Sequence, residues 1–180
     1  MRELNIAKIG VSPLTAQRVI ILKDRETERY LPIWIGPAEA DAIATKLQGA
    51  NLTRPLSHDL LLSVIGSLKA SVDSVIINDI IDDIFYGEIV LNVGGGKVEI
   101  DSRPSDALAL AIRAEVPIFA EEKVLDIAGI SVNNEDGKAV PRLPTDGKPI
   151  SEEELKRMSA FTDFINSLNI DDFGQNRRKD

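Results

Sequence analysis

The 180 residues carry a formal net charge of −8 and contain no cysteine. Disulfides, thiolate metal sites and a Cys nucleophile are therefore excluded, and so is the global basic bias of a protein that holds nucleic acid by phosphate neutralisation. No apolar run approaches the roughly 18 residues of a membrane span, and Met1-Arg2-Glu3-Leu4-Asn5-Ile6 opens no apolar leader segment, so a cytoplasmic location is expected.

Residues 2–11 alternate loosely and predict a strand. Residues 17–23 predict another, and a turn over Asp24 to Glu28 returns the chain as a strand from Tyr30 to Ile35. Gly36-Pro37 opens an Ala-rich helix to about Gln48, with Gly49 as its stop. Trp34, beside Pro32 and Ile33, is expected in the core. A second helix begins near Ser57 and runs to Leu68. Strands follow over Val72 to Ile81 and Phe85 to Val93. Gly94-Gly95-Gly96 turns the chain back into Val98 to Asp101, where Val98 and Ile100 share one face and Glu99 and Asp101 the other.

Pro104 starts a third helix, apolar from Ala107 through Ile112 and so expected to be buried nearly all round. A short strand (Pro117 to Ala120) and a short helix (Glu121 to Ile127) complete a first unit, residues 1–130. Residues 131–150 read as loop. Residues 151–180 read as a C-terminal helix to about Leu168, opened by Ser151-Glu152-Glu153-Glu154, with a frayed tail. The fold class is α+β: a mixed, mostly antiparallel sheet with packed helices. Pro-Ala-Glu-Ala at 37–40 echoes Pro-Ser-Asp-Ala at 104–107, each after the returning strand of a hairpin. That likeness suggests two ββα units, with common helix-start chemistry as the other explanation.

The chemistry-bearing residues gather at three helix starts. Glu39 and Asp106 sit at third helical positions, where an acid accepts free backbone N–H groups and needs no further role. His58 is the only histidine, hence the only side chain that ordinarily titrates near neutrality. It could act as general base or orient water beside Asp59, or simply cap its helix. Arg54 and Arg103 each precede a proline. They could pair with acids or hold a phosphate at a helix N-terminus. Asp101 and Asp106 could share Mg²⁺ or Mn²⁺ with Glu39 or Asp59, since oxygen ligands suit those ions. The segment 73–106 is −6 by itself. No zinc pattern, Walker loop, Rossmann fingerprint or nucleophile elbow is present.

Leu31-Pro32-Ile33-Trp34-Ile35-Gly36, then Glu39-Ala40, Arg54-Pro55, His58-Asp59-Leu60, Ile100-Asp101-Ser102-Arg103-Pro104-Ser105-Asp106-Ala107 and Pro117-Ile118 together resemble the bifunctional nuclease domain family across residues 1–130. The resemblance implies a mixed α+β fold, hydrolysis of phosphodiester bonds in DNA and RNA, and a homo-oligomer such as a dimer. It marks Glu39, Arg54, His58, Asp59, Asp101, Arg103, Ser105 and Asp106 as candidates without dividing the roles. The UvrB/UvrC-type helical motif that some relatives carry is not recognisable in residues 151–180.

Two functions are thus expected to compete. One is a metal-assisted nuclease, with Asp101, Asp106 and Glu39 on Mg²⁺ or Mn²⁺, His58 and Asp59 at the water, and Arg103 and Arg54 on the phosphate. The other is a non-catalytic binding or assembly module whose Arg/Asp/Glu/His set is an ion-pair and capping network.

Overall fold

The alternation at the start of the chain becomes a ten-residue strand, β1 (Arg2–Val11), in a computed structural model that describes residues 1–11, 16–50, 52–132 and 139–141. The hairpin read next is β2 (Arg18–Asp24) and β3 (Arg29–Ile35). Pro37 takes the first position of α1 (Pro37–Leu47). Gly49 ends that helix at φ +65°, and the Gly49 and Ala50 amides donate back to the Lys46 and Thr45 carbonyls. This left-handed stop closes the last turn, and only glycine adopts it without strain.

Next come α2 (Ser57–Ser67), β4 (Ala70–Ile81), β5 (Ile84–Val93) and β6 (Gly96–Ser102). The β5–β6 turn uses Gly94 and Gly95, both at positive φ. Then follow α3 (Pro104–Ala114), β7 (Ile118–Ala120) and α4 (Glu122–Ala128). Two short strands, β8 (Ile130–Val132) and β9 (Ala139–Pro141), pair with each other, and β8 also pairs with β3. They fall within and just before a segment read as loop. Three-residue strands leave too little periodicity to detect. The helix expected over 151–168 lies outside the described residues.

All nine strands form one mixed sheet in the order β6-β5-β4-β7-β1-β2-β3-β8-β9. Every described pairing is antiparallel except β4 with β7. The α+β expectation is met. The order also repeats outward from β7. One side runs β4, β5, β6 and leads into α3; the other runs β1, β2, β3 and leads into α1. The similar Pro37 and Pro104 helix starts therefore follow equivalent third strands.

Helix α3 is the keystone of the core. Ala107 through Ala111 are fully buried, and the helix packs on α1, α2, β4 and β5. Alanines at 107, 109 and 111 let neighbouring elements approach closely, while Leu108 and Leu110 fill the space between them. Helix α2 behaves differently. Ile65 is buried and Leu62 packs on the core, but Leu60, Leu61, Val64 and Leu68 stay exposed. Trp34 also departs from expectation: it is 42% exposed. Alternation along β3 puts Leu31 and Ile33 in the core cluster and turns Trp34 to the other face.

One glycine sets the position of α3. Gly87 is buried on β5 opposite Ser102. A Cβ there would stand 3.1 Å from Pro104 Cα and 3.2 Å from Pro104 N. The missing side chain is what lets the start of α3 lie directly on the strand. Gly87→Ala is expected to cost about 1–3 kcal/mol of stability through overpacking. Gly66→Ala is the control: nothing lies within 4 Å of a Cβ on this helical glycine, so it should stabilise by about 0.5–1 kcal/mol. Thermal unfolding checks both signs. Equal melting temperatures for Gly87→Ala and the parent would remove the packing argument.

Candidate functional site

Three helix starts meet at one hydrogen-bonded chain of side chains. His58, in the first turn of α2, places Nε2 3.1 Å from Asp106 Oδ1 in the first turn of α3. Arg103, the residue just before α3, donates from Nε to Asp106 Oδ2 at 2.7 Å. Its Nη2 donates to Glu39 Oε1 in the first turn of α1, also at 2.7 Å. The order is therefore His58–Asp106–Arg103–Glu39. It runs from a His58 side chain only 12% exposed to an Arg103 side chain 67% exposed.

The two acids do not act as backbone caps. Each spends its carboxylate on side chains of another helix start or on the arginine beside it. Glu39 also folds back over its own N-cap, since a Cβ on Gly36 would lie 2.2 Å from Glu39 Oε2. A side chain at position 36 would push Glu39 aside. Burial works to raise the Asp106 carboxyl, but the hydrogen bonds from Arg103 and His58 outweigh it and hold the group below the usual aspartate range. The same carboxylates, Asp106 first and Glu39 next, hold the Arg103 guanidinium above its ordinary value.

A second brace lies behind this chain. Asp59 accepts the Leu56 amide at 2.8 Å, half of a capping box, and the Arg113 Nε at 2.6 Å. Arg113 is 3% exposed. It leans back toward the start of α3, donating to the Ala109 carbonyl at 2.8 Å and to the Ala42 carbonyl of α1 at 3.1 Å. One guanidinium thus fastens α1, α2 and α3 together. Burial pushes the Asp59 carboxyl up; the Leu56 amide and Arg113 outweigh it and leave it lowered.

The structure therefore redistributes the candidates. It brings together Glu39, His58, Arg103 and Asp106. It turns Asp59, read as catalytic, into the partner of a buried arginine. Ser105 is buried in α3. Arg54 and Asp101 are exposed, and neither makes an ion pair among the described residues. The two ring nitrogens of His58 differ in their surroundings. Nε2 is committed to Asp106, and Nδ1 is buried with no hydrogen-bond partner.

The carboxylates read as metal ligands, Asp101, Asp106 and Glu39, form no common cage. Among the described residues no group of three or more His, Asp or Glu is placed to hold an ion. Arg103 lies between two of the three. Arg113 and Gly87 were missed by sequence reasoning. Arg113 did leave a signal, as the one charge after the all-apolar run of α3, and Gly87 as an isolated glycine inside a strand.

The stretch that holds the four connected residues matches a known family. The bifunctional nuclease domain matches residues 20–133. An uncharacterized protein of Mycobacterium tuberculosis is 35% identical over 96% of this chain and 98% of its own length. Bifunctional nuclease 2 of Oryza sativa subsp. japonica is 27% identical over 63% of this chain, and Bifunctional nuclease 1 of Arabidopsis thaliana is 22% identical over 80%. The matched regions span 36% and 46% of those two plant proteins. Among the described residues no helix is long and apolar enough to cross a membrane.

Proposed function

The chain belongs to the bifunctional nuclease domain family, and on that premise we propose that it is a phosphodiesterase of DNA or RNA, acting in the cytoplasm, with its reaction centre at Arg103 and Asp106. The observation that carries the reading is the exposed Arg103 guanidinium, parked on two carboxylates at the meeting point of three helix starts. A phosphodiester offers that guanidinium a competing bidentate partner. The exposed Arg54 is a second cation for the same strand.

Moving Arg103 onto phosphate has a chemical consequence. It removes the first hydrogen bond that holds the Asp106 carboxyl low, so Asp106 becomes a better base as substrate arrives. Water would then add to phosphorus, giving its proton to Asp106 Oδ2, while Arg103 stabilises the charge on the phosphoryl oxygens. The leaving oxygen takes a proton from solvent. His58 is the positioning residue, its N–H fixing Asp106 Oδ1. Among the described residues Glu39, Asp101 and Asp106 do not converge as a cage; assistance by Mg²⁺ or Mn²⁺ would show as cleavage that EDTA abolishes and either ion restores.

One observation favours the second reading, a non-catalytic assembly module: Glu39, His58, Asp59, Arg103, Asp106 and Arg113 are all partnered with one another. The two readings separate on highly purified protein. Cleavage of single-stranded DNA and RNA would be followed with EDTA, Mg²⁺ or Mn²⁺, for the parent, His58→Ala and Asp101→Ala. The nuclease reading predicts loss of activity in His58→Ala with a small change in melting temperature. Asp101→Ala should retain activity unless it ligates a metal. Equal cleavage by all three preparations would indicate a contaminant. A sharp fall in melting temperature for His58→Ala, with no activity in the parent, would favour the module.

A further inference from the structure

The two halves of the sheet set different residues at equivalent places. Arg103 is the N-cap of α3, and Gly36 is the N-cap of α1. A proline follows each, and an acid stands at the third helical position, Asp106 in one half and Glu39 in the other. Both acids close on the same arginine, through Nε for Asp106 and Nη2 for Glu39. They are not equivalent partners. Asp106 is also shared with His58. Glu39 makes its one contact to a residue 64 positions further along the chain, and among the described residues it has no other hydrogen bond or ion pair.

We propose that Glu39 and Gly36 form a latch on Arg103 that sets how tightly the site takes a phosphodiester. The inference rests on the reading of Arg103 as the phosphate-binding group and adds what opposes it. Gly36 sits at φ −67°, a value open to any residue. The site therefore uses its lack of a side chain, not its backbone freedom. A Cβ at position 36 would run into Glu39 Oε2, the end of the carboxylate that holds Arg103. Where the second half of the sheet carries the arginine, the first half leaves the space into which Glu39 folds.

Glu39 acts against an incoming phosphodiester in two ways. It occupies Nη2, one of the donors a phosphate would use. Its side chain is also only 16% exposed. When Arg103 turns away, that carboxylate is left poorly hydrated and without its cation, and its charge repels the phosphate. Asp106 keeps its His58 contact when Arg103 leaves, whereas no other described residue is paired with Glu39. The latch therefore yields to a ligand with two oxygens sharing a negative charge, and not to a single neutral acceptor.

Titration of the full chain with dimethyl phosphate, followed through the arginine Nε–H resonances by NMR at constant ionic strength, reads the latch without any cleavage. The parent should bind weakly, and Arg103→Ala should not bind measurably. Glu39→Gln removes the charge, and Gly36→Ala displaces the carboxylate while keeping it. Each should tighten binding about threefold or more, a gain that a merely damaged fold would not give. Combining the two should add nothing to Glu39→Gln alone, because both act through one contact. Equal or weaker binding in either variant would overturn the latch. So would additive gains in the double variant, or no binding by any of the proteins. Tighter binding in both variants, with no cleavage of nucleic acid by the parent, would uphold the latch and defeat the nuclease reading.

Discussion

Replacing Arg113 with methionine is expected to lower stability by about 3 kcal/mol, roughly 10 °C in melting temperature for a chain of this size. The side chain is buried and makes three hydrogen bonds, to Asp59, Ala109 and Ala42. Methionine fills similar volume but leaves the two carbonyls and the Asp59 carboxylate without their donor. Lysine should not rescue, because one ammonium cannot span the forked set of acceptors. The effect should also depend on pH. The folded-state Asp59 carboxyl is held below its ordinary value, by the Leu56 amide and Arg113 acting against burial. Its contribution to stability is therefore complete above about pH 4 and is lost as pH falls through the lowered folded value. The gap between parent and Arg113→Met should narrow below about pH 4. Thermal unfolding across pH measures it. A variant within about 0.5 kcal/mol of the parent at neutral pH would show that the three helices do not rely on this guanidinium.

Arg103→Ala should have the opposite profile. Its two ion pairs are largely solvent-exposed at the arginine end, and exposed pairs contribute only about 0–1 kcal/mol each. Stability should change little. If Arg103 leaves its carboxylates for the phosphate, the transition state loses its nearest positive donor, and cleavage should fall about 10²–10³-fold. The substitution also leaves Glu39 and Asp106 without neutralisation, so the site becomes more repulsive to phosphate and KM should rise as well as kcat fall. A residue that serves only the fold would move the melting temperature before the rate. A residue that serves only the reaction would do the reverse.

The order of the larger elements was readable because each has its own punctuation. Pro37 and Pro104 begin helices, Gly49 ends one, and Gly94-Gly95 makes the β5–β6 turn. The apolar run of α3 announced its burial. What escaped is mostly what pairing across the fold decides. β8 and β9 are three residues each and exist because the edge of β3 is there to receive β8. Trp34 looked like core because every neighbour is apolar, but alternation along β3 turns it outward.

Spacing pointed to three helix starts that the fold does bring together, without dividing the roles among their residues. Asp59 and Asp106 are both acids at the third position of a helix. One caps its helix and anchors buried Arg113; the other is shared by His58 and the exposed Arg103. That difference arises from which arginine reaches each acid across the fold, and no local pattern encodes it. The same holds for Asp101, whose place on an open strand edge separates it from the acids it was grouped with.

The most direct test is the rate of phosphodiester cleavage by the parent and Arg103→Ala, purified in parallel and assayed on one nucleic-acid substrate, with melting temperatures measured on the same samples. Cleavage by the parent that falls about 10²–10³-fold in the variant, at nearly unchanged melting temperature, is the predicted result. Equal rates in the two preparations, or no cleavage by the parent under any metal condition, would contradict a reaction centre at Arg103 and Asp106.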